Sequence, residues 1–229
     1  FVVAWAFTCA ASAAFSRSNV ISAVMLTTKS RWWCQYTAVE QWLLQEGREQ
    51  DDELVIVSED PLAVDAMPQH PQVRFIACTE TLLYAKWNIG FAVASNEWLT
   101  FWADDDWHGP RRLAELRANA DADIVGPAAM YYHELEEGGR SFRYVYGGDE
   151  PHVIDGLTMF HRPLWEKYPI EPMIKSAAGW WLLNCARAGA SLRVIPQGDY
   201  VSFIHSGNLT ARKPRVSRHG EVLSDSYMT

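Results

Sequence analysis

The sequence predicts an α/β domain whose central sheet is mostly parallel and is covered by helices on both faces. Short, nearly continuous apolar runs recur along the 229 residues, and segments with apolar residues at helical spacing lie between them. Strands that are apolar on both faces are typical of parallel sheets buried between helices. The ligand crevice of such a sheet lies at the carboxyl ends of its strands, so those ends are the first place to look for function.

The first half of the chain supplies the parallel strands and their helices. Four apolar runs predict strands: VISAVMLTT (20–28), ELVIVSED (53–60), VRFIACTE (73–80) and WLTFWADDD (98–106). A helix is predicted after the first run, from the spacing of Val39, Trp42 and Leu43, and is expected to end at Gly47. A second helix is predicted over about 81–95, between the third and fourth runs.

The second half predicts a small antiparallel extension and then a return to the sheet. A helix over 111–119 is followed by a strand over 123–132, an acidic turn containing glycine, and a returning strand over 140–147. The remaining segments are an apolar stretch at 153–162, a helix over about 178–188 and a strand region at 191–205.

Composition limits the class of protein and of partner. With 48% hydrophobic residues and a formal net charge of -8, the chain is a globular protein without a strongly basic surface. This charge disfavours a nucleic-acid acceptor without excluding it, because phosphate binding depends on clustered Lys and Arg. The basic stretch 212–218 is either a solvated tail or a contact for an anionic partner. The four cysteines show no metal-binding spacing and are expected to be reduced thiols.

Three regions are predicted along the chain: an apolar segment over 1–19, the main domain over 20–210 and a basic, polar tail over 211–229. The apolar segment is a packed terminal element, a cleavable or interfacial segment, or an artefact of the sequence. About fifteen apolar residues are fewer than the ~20 that a membrane-spanning helix needs. We expect a cytoplasmic protein, with membrane association through the first segment as the alternative. The oligomeric state is left open.

Three consecutive carboxylates, Asp104, Asp105 and Asp106, follow the fourth predicted strand. Hard oxygen ligands two residues apart at a strand end can hold one divalent cation, which can in turn hold the phosphate oxygens of a nucleotide. The alternative is a solvated acidic turn or helix cap. Repulsion between adjacent like charges beside Trp102 and Trp107 favours the cation. The pattern therefore predicts a phosphate-handling site that uses Mn²⁺ or Mg²⁺.

The stretch KWNIGFAVASNEWLTFWADDDWHGPRRL (86–113) resembles the core of the inverting family 2 glycosyltransferases of GT-A fold. The resemblance extends to VISAVMLTTKSR (20–31), LVIVSED (54–60) and DGLTMFHR (155–162), in the same order along the chain. It implies the GT-A fold, the α/β fold of nucleotide-diphospho-sugar transferases: a mostly parallel central sheet flanked by helices, with a small antiparallel extension.

The resemblance implies that the polar residues near the strand ends bind a nucleotide-sugar donor. The implied donor-binding residues are Thr27, Thr28, Arg31, Glu59, Asp60, Lys86, Asn88, Asp104 and Asp105. In this assignment the threonines line the nucleotide edge, Glu59 or Asp60 accepts a hydrogen bond from the base, and Lys86 supplies charge near the diphosphate or donor sugar. The alternatives are that Lys86 is an ordinary helix-surface lysine and that Asn88 is a helix-start residue.

The resemblance also implies the ligands of the metal. They are Asp104, Asp106 and His205, with Asp106 the direct ligand, Asp104 also facing the ribose or sugar, and Asp105 assisting one of these. A neutral imidazole is a competent ligand for Mn²⁺, and the Ser-Gly-Asn turn after His205 can approach a phosphate. A structural or exposed histidine is the alternative.

An inverting transferase needs a general base, and here the sequence departs from the family. Where the family has an acidic pair before a helix, this chain has Ala178 and Gly179. Asp155 is the candidate catalytic base, with a turn-capping role as its alternative. A retaining reaction that needs no such base, or donor binding without efficient transfer, would equally account for the departure.

Three tryptophans are candidate acceptor-binding residues: Trp107, Trp180 and Trp181. Sugar rings stack their C–H faces on aromatic planes, and adjacent tryptophans at a helix start would provide such a platform. Packing in the core explains at least one of the adjacent pair, because neighbouring helix residues point in different directions.

Together these observations predict a metal-dependent glycosyltransferase that moves a sugar from a nucleotide-diphosphate sugar, expected to be a UDP-sugar, to an acceptor hydroxyl of unknown class. One alternative is a non-catalytic module that binds nucleotide-sugar or carbohydrate, which the missing acidic pair keeps open. The other is a related nucleotidyltransferase, which the lack of glycines in TTKSRWW (27–33) disfavours.

Overall fold

The computed structural model describes residues 19–28, 31–59, 69–136, 139–145, 152–172, 177–208 and 220–222. These residues form two sheets and five α-helices. The strands are β1 (Ile21–Thr27), β2 (Glu53–Ser58), β3 (Val73–Ala77), β4 (Trp98–Trp102), β5 (Trp107–His108), β6 (Ile124–Pro127), β7 (Ala129–Glu134), β8 (Ser141–Val145), β9 (Met159–His161), β10 (Leu192–Ile195), β11 (Tyr200–Ile204) and β12 (Gly220–Val222). The helices are α1 (Trp32–Leu43), α2 (Leu83–Val93), α3 (Arg112–Ala118), α4 (Arg162–Lys167) and α5 (Ala177–Arg187).

The larger sheet has seven strands in the order β10-β6-β9-β4-β1-β2-β3. Neighbouring strands are parallel except at β9, which runs antiparallel to both β4 and β6. The predicted mostly parallel sheet is therefore confirmed. The register pairs Met25 with Trp102 and Thr27 with Ser58, so β1, β2 and β4 end at the same edge.

The core lies on both faces of this sheet, as the continuous apolar strands require. One face packs Trp42 of α1 and Trp102 of β4 into a buried cluster. The other packs Phe91 of α2, Phe101 of β4 and Phe160 of β9. Because each strand of the centre buries both faces, its sequence shows no alternation of polar residues.

The smaller sheet has the order β12-β8-β7-β11-β5. It contains the predicted hairpin and, in addition, the strands β5, β11 and β12. Strands β7 and β8 form that antiparallel hairpin. The single strand predicted over 123–132 is wrong, since it divides at Ala128 into β6 of the large sheet and β7 of the small one. Late in the chain, β11 pairs parallel to β7 and antiparallel to β5, the short strand that directly follows Asp106. The small sheet therefore closes against the acidic turn.

Some predictions fall outside the described residues. These include the assignments for 1–18 and 211–219, as well as the residue Asp60. No helix in the described part of the chain is long and apolar enough to cross a membrane. Of the cysteines, Cys34, Cys78 and Cys185 are free thiols, in line with the expectation for them.

Helix α2 packs unusually close to the sheet at Gly90. A Cβ atom at this position would lie 2.3 Å from Cγ1 of Val24 and 3.1 Å from Cγ2 of Val57. Both valines are fully buried strand residues and cannot move aside without disturbing the sheet.

We predict that Gly90→Ala lowers the free energy of unfolding by about 1–3 kcal/mol, because overpacking a filled core forces strain. Chemical denaturation followed by tryptophan fluorescence measures this change. Gly156→Ala is the control, since a Cβ there meets no atom within 4 Å, and its effect should stay within about 0.5 kcal/mol. Equal stability of the Gly90→Ala variant and the wild type would show that α2 does not lie this close to the sheet.

Candidate active site

The site begins where β4 ends, at the buried carboxylate of Asp104. Only 2% of Asp104 is exposed to solvent. Burial raises the pKa of this carboxyl to about 6, Arg31 opposes the shift, and Asp105 adds to it. Oδ2 of Asp104 and Oγ1 of Thr27, at the end of β1, are both buried and form no hydrogen bond of normal geometry. The Thr27 hydroxyl is still near enough to the carboxyl to lower the pKa of Asp104 against the effect of burial. The strand end therefore keeps two polar atoms that a ligand could satisfy.

Arg31 neutralises part of this negative charge. Its Nη1 lies 2.7 Å from Oδ1 of Asp104 and 3.0 Å from Oδ2 of Asp105. Its Nη2 donates to the carbonyl of Gly207 at 3.1 Å. The backbone holds Arg31 in place, because its N–H donates to the carbonyl of Thr28 at 3.0 Å just before α1 begins. Arg31 thus connects the end of β4 to the turn after β11 through its guanidinium, and its backbone N–H ties it to the end of β1.

Asp105 faces that turn. Nε2 of His205 lies 3.3 Å from Oδ2 of Asp105, and Nδ2 of Asn208 lies 3.4 Å from the same oxygen. The turn is closed locally, since Oδ1 of Asn208 accepts from the N–H of His205 at 2.7 Å. The side chains of Asp105 and His205 are each 10% exposed, so the pair is mostly buried but keeps some contact with solvent.

These residues offer the donor set that a hard or borderline cation needs. They supply two carboxylates and an imidazole, and one of the carboxylate oxygens has no partner. In the described part of the chain, no three His, Cys, Asp or Glu side chains already stand in a metal-holding arrangement. The metal roles of Asp104, Asp106 and His205 stay predictions.

Asp106 points to a different place from its two neighbours. Its Oδ1 accepts from the hydroxyl of Ser202 at 3.1 Å and from the N–H of Phe203 at 2.8 Å, and its Oδ2 accepts from the hydroxyl of Tyr200. All three donors belong to β11. The structure therefore places Asp106 as a clamp between the acidic turn and the small sheet.

The buried residue Arg112, from α3, contacts Tyr200, which donates a hydrogen bond to Asp106. The guanidinium of Arg112 is stacked over the rings of Trp102 and Tyr200, at 4.8 and 5.5 Å, and donates to the carbonyls of Phe101 at 2.6 Å and Gly156 at 3.1 Å. It also contacts Nδ1 of His108. Burial lowers the pKa of Arg112 to about 10, which leaves it charged at neutral pH.

Three further predicted donor-binding residues, Glu59, Lys86 and Asn88, also have protein partners. Lys86 is buried and forms an ion pair with Glu59 at the end of β2. Asn88 lies farther along α2, where its amide donates to the carbonyl of Ile170 at 2.8 Å and accepts from the indole of Trp165 at 2.9 Å. The structure brings Glu59 and Lys86 together and does not bring Asn88 to the Asp104 cluster. Their donor-binding roles stay predictions.

A separate cavity of about 380 Å³ contains Asp155. Asp155 opens a short 3₁₀ turn, and its Oδ1 accepts from the N–H of Gly156 at 3.0 Å. The cavity lies between that turn, the small sheet and α5. Its wall includes Tyr200, whose hydroxyl donates to Asp106, so the cavity adjoins the acidic turn through one side chain.

The three predicted acceptor tryptophans lie in different environments. Trp180 lines the cavity of Asp155 and is 47% exposed. Trp181 is 4% exposed, its indole contacts Phe160 with the ring centroids 4.6 Å apart, and it belongs to the core. Trp107 lies on β5, paired with Val201, and is not among the residues that line the cavity. The structure thus assembles no platform of adjacent tryptophans.

Sequence reasoning missed three residues of the site. Tyr200 donates a hydrogen bond to Asp106, and Arg112 stacks on the ring of Tyr200. The third is the exposed Trp33, whose ring contacts that of His205 with centroids 6.0 Å apart. Arg112 closely follows the aspartates in the sequence, yet a charged residue in a predicted helix normally indicates a solvated face. No local signal distinguishes it as buried.

The sequence matches a known protein family, and the fold is similar to that of solved structures. The model of Glycosyl transferase family 2 matches residues 37–174, which include Asp104, Asp105 and Asp155. The crystal structure of S. aureus TarS 1–349 with UDP-GlcNAc superposes with a TM-score of 0.62 at 13% identity, covering 82% of this chain and 60% of that one. The complex with UDP gives a TM-score of 0.59 at 12% identity, covering 81% of this chain and 60% of that one.

These likenesses confirm the GT-A fold expected from the sequence. The chain spans about 60% of the length of the TarS structures it matches. No curated protein sequence matches the chain significantly.

The buried imidazole of His108 generates a pH prediction. Burial, together with the charge of Arg112, lowers the pKa of His108 well below its usual value of 6.5. The unfolded chain therefore binds a proton below pH 6.5 that the folded protein does not bind, so the free energy of unfolding falls as the pH falls. One such group changes the free energy of unfolding by up to about 1.4 kcal/mol per pH unit.

We predict that His108→Gln removes this part of the slope between pH 6.5 and 4.5, as measured by urea denaturation at several pH values. Glutamine keeps a donor for the carbonyl of Ala103, to which Nε2 of His108 now binds at 2.8 Å. The matched control is His161→Gln, on β9. A variant whose slope equals that of the wild type would mean that His108 is not held neutral in the folded protein.

Proposed function

Because the chain belongs to glycosyl transferase family 2, we propose that it transfers a sugar from a nucleotide-diphosphate sugar to an acceptor hydroxyl, with a divalent cation. The observation that carries the proposal is the cluster of Asp104, Asp105, Arg31 and His205 at the ends of β4, β1 and β11. It lies at the carboxyl edge of the parallel sheet, where open α/β sheets bind their ligands.

A UDP-sugar is the proposed donor. TarS, which has a similar fold, has been crystallised with UDP and with UDP-GlcNAc. In this chain, the end of β1 with Thr27 and Thr28 and the end of β2 with Glu59 border the same edge as Asp104. We assign these residues to the nucleoside, with Glu59 as the acceptor of a hydrogen bond from the base.

Asp105 and His205 are proposed to hold the cation, together with Oδ2 of Asp104. In this proposal Asp105 takes the ligand role that the sequence analysis gave to Asp106, because both oxygens of Asp106 accept hydrogen bonds from β11. Arg31 supplies one positive charge against the two carboxylates that it contacts, so the cluster keeps a net negative charge that suits Mn²⁺ or Mg²⁺. A bound divalent cation would stabilise the negative charge that develops on the departing diphosphate. Arg31 would share that task by presenting its remaining N–H donors to phosphate oxygens.

Asp155 is the proposed general base. Its carboxylate takes the proton of the acceptor hydroxyl while the acceptor oxygen bonds to the anomeric carbon and the bond from that carbon to the nucleoside diphosphate breaks. The carboxylate lies beside the start of α5, where a Cβ on Gly179 would be 3.2 Å from its Oδ2. A carboxylate from the 3₁₀ turn thus reaches the helix start that has no acidic residue of its own. In the competing retaining mechanism, the departing diphosphate accepts this proton.

A non-catalytic module that binds nucleotide-sugar or carbohydrate is the second candidate function. The absence of a carboxylate at Ala178 and Gly179 favours it. Turnover separates the two: release of UDP from a UDP-sugar in the presence of an acceptor supports the enzyme, whereas donor binding with no release under any acceptor supports the module.

We predict that His205→Ala weakens UDP binding in the presence of Mn²⁺ by about tenfold or more and leaves the binding without metal unchanged. The reason is that the imidazole acts on UDP through the cation. A substitution next to a bound metal typically lowers the metal affinity or the activity by about 10–100-fold. Isothermal titration calorimetry with and without Mn²⁺ measures both affinities. His161→Ala, at the opposite end of the large sheet, is the control. A His205→Ala variant with wild-type affinity in Mn²⁺ returns this histidine to a structural role.

We also predict that Asp155→Asn lowers kcat for transfer by about 10²-fold or more, in line with typical general-base contributions, while the Kd for the UDP-sugar stays unchanged. Asp121→Asn is the matched control, because Asp121 forms a surface ion pair with Arg193 away from the cavity. The product anomer should be inverted. An active Asp155→Asn enzyme that yields a retained anomer would rule out this base and support proton acceptance by the diphosphate.

A further inference from the structure

Arg112, the first residue of α3, carries a positive charge into the protein interior. Only 4% of it is exposed, and its pKa of about 10 keeps the guanidinium charged at neutral pH. A buried charge destabilises the fold unless hydrogen bonds and opposite charges compensate for it. The contacts of the guanidinium therefore indicate what the residue is for.

The donors of Arg112 reach three separate elements. Nη2 donates to the carbonyl of Phe101, in β4, at 2.6 Å and to the carbonyl of Gly156, in the 3₁₀ turn, at 3.1 Å. Nη1 contacts Nδ1 of His108, in β5. A planar guanidinium holds several acceptors in fixed directions at once, which neither an apolar side chain nor a flexible lysine can do.

His108 fixes Arg112 relative to the acidic turn. Nε2 of His108 lies 2.8 Å from the carbonyl of Ala103, the residue before Asp104. The imidazole is neutral, since burial lowers its pKa, and a carbonyl oxygen can only accept. Nε2 therefore carries the proton, and Nδ1 accepts from Arg112. The imidazole also stacks on the indole of Trp102, with the ring centroids 3.8 Å apart.

On its other side, Arg112 reaches the residue that orients Asp155. The carbonyl of Gly156 accepts from Arg112, and the N–H of Gly156 donates to Oδ1 of Asp155 at 3.0 Å. These two groups flank the Cα of a glycine, the residue whose backbone angles are least restricted. The 3₁₀ turn is only three residues long and supports itself weakly. Without Arg112, the N–H that holds Asp155 would be freer to move.

These contacts form one continuous series of hydrogen bonds. It runs from the carbonyl of Ala103 through His108, Arg112 and Gly156 to Oδ1 of Asp155. One end is the backbone from which the acidic turn begins, and the other is the carboxylate proposed as the base. The series therefore sets the position of that carboxylate relative to the turn, and catalytic groups depend on such precise placement.

We propose that Arg112 is the positioning residue of Asp155: it holds Gly156 so that the carboxylate keeps one orientation relative to the acidic turn. The catalytic meaning of this orientation rests on the function proposed above, whereas the hold on Gly156 does not. Because Arg112 is buried behind the turn, it acts on the reaction only through Asp155.

Amide hydrogen exchange of Gly156, followed by NMR on the full chain, tests the hold directly. Arg112→Lys keeps the positive charge and loses the planar group, whereas Arg112→Met removes both. Each should speed the exchange of the Gly156 N–H by about tenfold or more, because local opening sets the exchange rate of such an amide. The methionine variant keeps the test valid if the lysine variant does not fold, since apolar replacement of a buried ion is often tolerated.

Arg162→Lys is the matched control. Arg162 also holds carbonyls, those of Phe91, Ala94 and Asn96 at the end of α2, and none of these bonds reaches the acidic turn or the 3₁₀ turn. Its substitution should lower the melting temperature without changing the exchange of Gly156. The proposal is overturned if both Arg112 variants exchange Gly156 at the wild-type rate, or if Arg162→Lys speeds this exchange equally.

Release of UDP from UDP-glucose, UDP-galactose and UDP-N-acetylglucosamine, with water as the acceptor, tests the consequence for the reaction. Arg112→Lys should lower kcat by about tenfold or more and leave KM nearly unchanged, since a small displacement of a catalytic group is costly. In an Asp155→Asn background the same substitution should lower kcat by less than about twofold, because residues that act as a unit are not additive. Equal losses in the two backgrounds would overturn the positioning role.

The two measurements separate this inference from the proposed function. Faster exchange at Gly156 in the Arg112 variants, with no turnover of any UDP-sugar by the wild type, would contradict the transferase and support the hold on Asp155. Turnover by the wild type, with unchanged exchange in both Arg112 variants, would do the reverse.

Discussion

Repulsion among three adjacent carboxylates at the end of β4 is the constraint on which the site depends. The protein relieves it by sending the three side chains to different partners. Asp104 and Asp105 share the guanidinium of Arg31, Asp105 also meets His205, and Asp106 accepts hydrogen bonds from β11. Each solution requires a segment distant in sequence to pack against the turn, so the turn organises β1, β11 and α1 around itself.

The same arrangement connects the two sheets and the two halves of the proposed site. Tyr200 donates to Asp106 and forms part of the cavity wall, and Arg112 stacks on its ring while it binds the carbonyl of Gly156, next to Asp155. A displacement of β11 would therefore move the donor side and the acceptor side together. The ring and carbonyl contacts of Arg112 offset part of the cost of burying its charge.

The sequence predicted the parts of the fold that follow from local apolar pattern. The runs at β1, β2 and β4 were identified because every residue of these strands is buried and their apolar sequence is therefore continuous. The apolar run at β3 was also identified, although this strand is only half-buried. The division of 123–132 into β6 and β7, and the parallel pairing of β11 with β7, depend on contacts between distant segments and leave no local signal. The same distinction applies to the site. The sequence pattern located Asp104 and Asp105, but the orientation of Asp106 and the burial of Arg112 depend on how the small sheet packs.

The central claim is that Asp105 serves the ligand and Asp106 serves the fold. Thermal unfolding of Asp105→Ala and Asp106→Ala, each with and without Mn²⁺ plus UDP, tests it most directly, because a ligand that binds the native state raises stability. We expect Asp106→Ala to lower the stability of the free protein by about 2 kcal/mol or more, since it leaves donors of β11 unpaired. Asp105→Ala should keep the stability of the free protein and lose the stabilisation by Mn²⁺ and UDP. The reverse pattern, with Asp106→Ala as stable as the wild type and unresponsive to the ligands, would contradict the account.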